Sequence, residues 1–239
     1  MWTPTALKSE SHLLKGIVWR VVEHQHTVST WKIVDNLDEH EILEEIIDES
    51  KPIYPANTES LHYLLKTPFR YFPARPHGSR FRKPMEVDGV YYASEAIRTA
   101  LAEMAYYRVT FFLAAPTSIL PVEAQKLTSF TASYHCASAI DLTTSAFQKN
   151  SELWQANDYS GTQALAKVAR EAGITAIRYQ SVRDAKKGRN VALLNPHCFS
   201  VNTIANQQVW YMVIKEKEVY ASRADTIRAD EMYTFERTS

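Results

Sequence analysis

The sequence predicts a mixed α/β domain, on three observations. Runs rich in β-branched residues are interspersed with amphipathic helical stretches. The two kinds do not follow the regular β–α–β order of a doubly wound parallel sheet. And 239 residues are enough for one large domain with a substantial core.

Taken in order, Gly16–Glu23 predicts an early strand, since Ile17, Val18, Val21 and Val22 suit a pleated surface. From Ser29 to about Leu65 the pattern is helical. Over Leu37–Ser50, Leu43, Ile46 and Ile47 share one face, and acids fill the other. A shorter helix, about Glu59 to Leu65, follows the break at Pro52 and Pro55. Residues 68–90 predict a loop rich in Pro and Gly, then a short strand, Val90–Ala93. Ser94 stands at the N-cap position of a helix from Glu95 to about Arg108, whose core face is Ile97, Leu101, Met104 and Ala105. Strand-like segments follow at about 118–133 and 138–142. Ser160-Gly-Thr-Gln163 has the spacing of a capping box that opens a helix to Ala172, with Gly173 as its stop. Ile174–Gln180 and Val191–Leu194 predict strands on either side of a charged turn, and Val209–Ile214 with Glu218–Ser222 predicts a closing hairpin.

Composition excludes several classes. Lys plus Arg and Asp plus Glu each number 27, so the net charge is zero, which argues against direct nucleic-acid binding by bulk phosphate neutralisation. No apolar run approaches the roughly 20 residues of a membrane span, and the first ten residues lack the apolar core of a signal peptide. The two cysteines, Cys136 and Cys198, give neither a disulfide framework nor a zinc site and suit a reducing cytoplasm. His24 and His26 would share a strand face, but no further ligands must converge on them, so no metal is expected. His135 and Cys136 are adjacent on a strand and point opposite ways, which argues against a nucleophile pair.

The chemistry-bearing signals are weaker. Arg70, Arg75, Arg80, Arg82 and Lys83 crowd a loop with Phe69, Tyr71, Phe72 and Phe81. Guanidinium groups take phosphates bidentately and aromatic faces take rings, a combination that suits a nucleotide. A solvated loop with inward aromatics is the plainer alternative. Glu103 lies about 130° from the centre of its helix's apolar face, where periodicity alone leaves it in solvent. Ser181 and Asn190 flank the charged turn at strand ends, where sites are often built.

The order of six blocks is more telling: Gly78-Ser-Arg-Phe-Arg82, Tyr91-Tyr-Ala-Ser94, Thr99-Ala-Leu-Ala-Glu103, Gln163-Ala-Leu-Ala166, Tyr179-Gln-Ser-Val-Arg183 and Gly188-Arg-Asn-Val-Ala-Leu-Leu194. The series resembles the RES domain, named for its Arg, Glu and Ser. Arg80 matches the Arg of the family's Gly-Arg-Trp-Asn block, with Arg82 in place of the Asn. Tyr92 matches its Leu-Tyr-x-Ser block, Glu103 its Glu, Ser181 its Ser and Asn190 the Asn that follows; Arg20 matches an Arg of its first strand. The resemblance covers about residues 17–195 of a single domain spanning 1–239, with 29–65 as a helical insertion and 200–239 as a C-terminal hairpin extension.

What the resemblance implies is a fold like that of ADP-ribosyltransferase toxins and a bacterial type II toxin–antitoxin toxin, paired with an Xre-type helix-turn-helix antitoxin in a homo- or hetero-oligomer. It implies degradation of NAD⁺ by phosphorolysis or hydrolysis of the nicotinamide–ribose bond, with no cofactor beyond that substrate. Nicotinamide leaves NAD⁺ without needing an acid, so the difficulty is the ribosyl cation left behind, which a carboxylate stabilises. On this reading Glu103 is that carboxylate, Arg80 and then Arg20 hold the diphosphate, and Tyr92 packs on nicotinamide. Ser181 bonds the ligand, Asn190 fixes the turn behind it, and Arg82 joins the binding set. The alternatives are an ADP-ribosyltransferase acting on a macromolecule, for which the same site would serve, and a degenerate domain that only binds a partner.

Overall fold

Strand β3 (Gln125–Asp141) organises the molecule. The structure, a computed structural model, describes residues 2–24, 33–70, 78–114, 119–152, 158–225 and 231–237. Strand β1 (His12–Glu23) runs antiparallel along β3, from His12 opposite Ala139 to Glu23 opposite Leu127. On its other edge β3 takes β6 (Ala205–Ile214) antiparallel near its start and β4 (Ala176–Gln180) parallel at its end. Strand β5 (Arg189–Leu193) joins β4, β2 (Tyr91–Ser94) joins β5, and β2 returns to β1 where Trp19 faces Ser94. Thus β1, β2, β5, β4 and β3 close a ring, from which β6, β7 (Glu218–Arg223) and β8 (Met232–Glu236) extend. Among the described strand pairs β3–β4 alone is parallel, so the sheet is mixed and not doubly wound, as the irregular element order predicts.

The described helices are α1 (Pro4–Ser9), α2 (Leu37–Glu49), α3 (Tyr63–Arg70), α4 (Ile97–Leu113), α5 (Ser145–Gln148) and α6 (Ser160–Glu171). None is long and apolar enough to cross a membrane. The core has three parts. Leu65 and Phe69 of α3 pack with Tyr91, Phe130 and Phe199. Leu7 of α1 and Leu165 of α6 pack with Phe81, Phe147 and Ile177. Leu101, Ala105 and Val109 of α4 pack with Trp210, Val219 and Phe235 of the C-terminal strands.

Several local expectations are corrected. Ser94 is not an N-cap: it ends β2, its hydroxyl donates to Asn190, and α4 begins at Ile97 behind an uncapped Ala96. The capping box at 160–163 does not form, because Ser160 donates to Asp158 and the Gln163 amide is drawn to the carbonyls of Ser79 and Arg82. Gly173 does stop α6, at φ +70°, where a side chain would be strained. The two middle segments are one continuous strand, since β1 pairs across the expected break. Helix α3 runs through Pro68 to the buried Phe69 and Arg70, where a loop was expected. On α2, Leu43 and Ile47 are half-buried but Ile46 is exposed. The closing hairpin gains a third strand, β8.

Candidate active site

Helix α4 packs against β1, β2, β6 and β8, and its exposed residues are Tyr107, Phe111 and Leu113, toward its C-terminal end. That is why Glu103, expected on a solvated face, is half-buried and lines a cavity of about 430 Å³. Its carboxylate is clamped at one oxygen. Ser181 Oγ and Asn190 Nδ2 each donate to Oε1 at 2.7 Å. Asn190, on β5, is held in turn by Ser94 Oγ, which donates to its Oδ1 at 2.6 Å. Ser181, just past β4, accepts from the backbone N–H groups of Arg183 and Asp184 at 3.1 Å each. Its one donor and two acceptor positions are therefore all engaged. Ser181 is buried to 1% exposure and is not among the residues that line the cavity, whereas Asn190 is. Of the two residues, Asn190 is the one on the cavity wall, and both donate to Glu103.

Among the described residues three arginines share the cavity wall: Arg20, Arg80 and Arg183. Arg20 Nη1 donates to the Tyr92 carbonyl at 2.7 Å, and its guanidinium lies 4.8 Å over the Tyr91 ring. Burial lowers its pKa, partly offset by Tyr91, yet an arginine stays charged at neutral pH. Arg80 is buried, its guanidinium 5.0 Å from the Tyr159 ring centroid and 5.8 Å from that of Tyr179. Arg183, which the sequence reading does not single out, lies 3.5 Å over the Tyr106 ring. Its signal was its place in the Tyr179–Arg183 block; past the strand end, alternation no longer says where it points.

The 78–82 loop is built to hold Arg80. Gly78 adopts φ +68°, and a Cβ there would come within 2.3 Å of the Arg82 carbonyl, so the turn requires glycine. Ser79 and Arg82 exchange backbone hydrogen bonds at 2.8 and 3.1 Å. Tyr92 pins this turn. Its hydroxyl accepts from Phe81 N at 2.9 Å and pairs with Ser79 Oγ at 2.9 Å. Burial raises its pKa, outweighing these contacts and the nearby cations, so the phenol is neutral. Tyr92 thus works on the loop as well as lining the cavity. Removing its hydroxyl strands a buried Phe81 N–H, a cost of about 1–3 kcal/mol. We expect Tyr92→Phe to lower the melting temperature by roughly 2–10 °C, read by calorimetry; an unchanged melting point would mean that water satisfies the loop.

Arg82 is not among the cavity residues. It is buried at 5% exposure and donates to the carbonyls of Glu86 and Val87, closing its own turn. Arg70 is also elsewhere, donating to the Pro52 carbonyl and stacked 4.2 Å over Tyr54. Lys83 is exposed. Arg75, Tyr71, Phe72 and His26 lie outside the described residues. His24 pairs with Thr128 Oγ1 at 2.7 Å. His135 is exposed and Cys136 buried, as strand alternation requires. Among the described residues no cluster of three His, Cys, Asp or Glu side chains could hold a metal.

An acidic group fixed at one oxygen, in a cleft walled by guanidinium groups and phenols, defines a domain suited to an anionic, ring-bearing ligand. A family model described as "RES domain" matches residues 53–213, and the chain belongs to that family. Among solved structures it is similar to a chain of the M. tuberculosis MbcT–MbcA toxin–antitoxin complex, at 12% identity and a TM-score of 0.52. The match covers 88% of this chain and 91% of that one, and at such identity the likeness is one of fold. No curated protein matches the chain.

Proposed function

We propose that this cavity binds NAD⁺ and cleaves its nicotinamide–ribose bond, and that the chain is a growth-arresting toxin held in check by an antitoxin of Xre type. The observation that carries the reading is the one-sided clamp on Glu103, within a cavity that also presents Arg20, Arg80 and Arg183. In the reaction the bonding pair leaves with nicotinamide, which departs neutral. The ribosyl carbon gains positive charge, and an oxygen of phosphate or water bonds to it, losing a proton where it carries one. With Oε1 clamped, Glu103 need not reorient as that charge grows, which is what makes a fixed carboxylate effective. The arginines supply positive charge for the diphosphate. The cytoplasm, where NAD⁺ is at hand, is the proposed compartment, and the resemblance to a chain of a toxin–antitoxin complex supports the partner.

The test is nicotinamide release by purified, antitoxin-free protein, with and without phosphate and with a chelator. We expect release that chelator leaves unchanged, with ADP-ribose as the other product of hydrolysis or its anomeric phosphate as that of phosphorolysis. Intact NAD⁺ from folded protein would overturn the enzyme reading. Label carried from NAD⁺ onto protein or nucleic acid would replace degradation by transfer.

A further inference from the structure

We propose that Asp184, acting with Thr99, is a positioning residue that sets Ser181 against Glu103. Thr99 and Glu103 are four residues apart on α4, so they lie on one face, one above the other. The turn between β4 and β5 touches both. Ser181 donates to Glu103 Oε1, and Asp184 Oδ2 accepts from Thr99 Oγ1 at 2.9 Å. Asp184 is itself tied to Ser181, whose Oγ accepts from its backbone N–H at 3.1 Å. The second carboxylate oxygen accepts from Arg98 Nε at 3.2 Å and from Lys186 N at 3.1 Å. The turn therefore grips the helix at two points one helical turn apart.

The approach is close. Gly188 sits where a Cβ would come within 2.0 Å of Thr99 Oγ1 and 2.8 Å of Asp184 Oδ2. The Gly188 carbonyl accepts from Ser181 N at 2.7 Å, which closes the turn on itself. The Asp184 side chain is 1% exposed, so water does not compete for these bonds. Arg98 is backed by Phe235 of β8, at 5.3 Å. This strand lies beyond the residues that the family model matches. A carboxylate with no direct contact to Glu103 thus fixes where the Ser181 hydroxyl points. It acts by geometry, since its partners are the helix and the turn.

The activity half of the test rests on the NAD⁺ reading; the structural half does not. Thr99→Ala and Thr99→Ser differ only by the hydroxyl that Asp184 accepts. In free protein, we expect the backbone amides of Arg183 and Asp184 to exchange with solvent roughly 10- to 150-fold faster in the Ala variant, the worth of one hydrogen bond to a charged group, and at the wild-type rate in the Ser variant. In single turnover, Thr99→Ala should slow nicotinamide release by roughly tenfold or more with NAD⁺ affinity unchanged. Combined with Ser181→Ala it should slow release no further, because both act through one contact. Asp184→Asn, which keeps the shape, is a second variant with the same readouts. Equal exchange in the Ala and Ser variants, or an additive loss in the double variant, would overturn the inference. If wild-type protein releases no nicotinamide, the NAD⁺ reading fails while the exchange comparison still decides this one.

Discussion

Glu103→Gln should leave NAD⁺ binding nearly intact and slow the chemical step by roughly 30- to 1,000-fold. That corresponds to about 2–4 kcal/mol, the range for removing one preorganised electrostatic group. The structure makes this substitution unusually clean. Both donors, Ser181 Oγ and Asn190 Nδ2, aim at Oε1. The glutamine carbonyl can take that place and keep both hydrogen bonds. The amide nitrogen then replaces Oε2, so shape is conserved and negative charge is lost. Loss of an interaction that matters only as charge develops lowers the rate without touching affinity. Single-turnover nicotinamide release beside calorimetric binding separates the two. Wild-type turnover in Glu103→Gln would reduce the clamp to a packing feature.

Arg80→Ala should weaken NAD⁺ binding by about 1.5–3 kcal/mol, or roughly 10- to 150-fold, the cost of a lost charged hydrogen-bond donor. Arg80→Lys should recover only part of it. The guanidinium lies 5.0 Å from the Tyr159 ring centroid and 5.8 Å from that of Tyr179, and an ammonium there would lack the flat face and the two-pronged donor. Calorimetric titration of the three proteins with NAD⁺ reads the effect. Equal affinity across them would mean that Arg80 serves the loop and its rings, not the ligand.

The sequence carried the fold class and much of the site, but the reasons differ by residue. Arg20, Arg80, Tyr92, Glu103 and Asn190 all line one cavity, and their order along the chain was the signal. Periodicity failed at Glu103 because it assumes a helix with one buried face, whereas α4 packs against β1, β2, β6 and β8. Ser181 and Asn190 were legible as strand-end polar residues, but not which of them faces the cavity, since that depends on the turn between them. Arg82 stands off the cavity wall, because a guanidinium next to a candidate ligand group can as well close its own turn on Glu86 and Val87. The Gln163 amide illustrates the same competition: tertiary acceptors on the 78–82 loop won over a local cap. Strand β8 was missed because five residues, Met232–Glu236, carry too little alternation to stand out.

The closed ring of strands also governs when the cleft comes into being. Glu103 meets Ser181 across 78 residues of chain and Asn190 across 87, and β1, made first, finds most of its partners only once β3 exists. Such long-range pairings are slow to form, because long loops must close first. A chain still on the ribosome, with Glu103 already outside but Asn190 within the exit tunnel, holds an unclamped carboxylate and an open ring. Synthesis therefore passes through an interval in which Glu103 is present and its clamp is not, set by the 78 and 87 residues that separate it from its two donors.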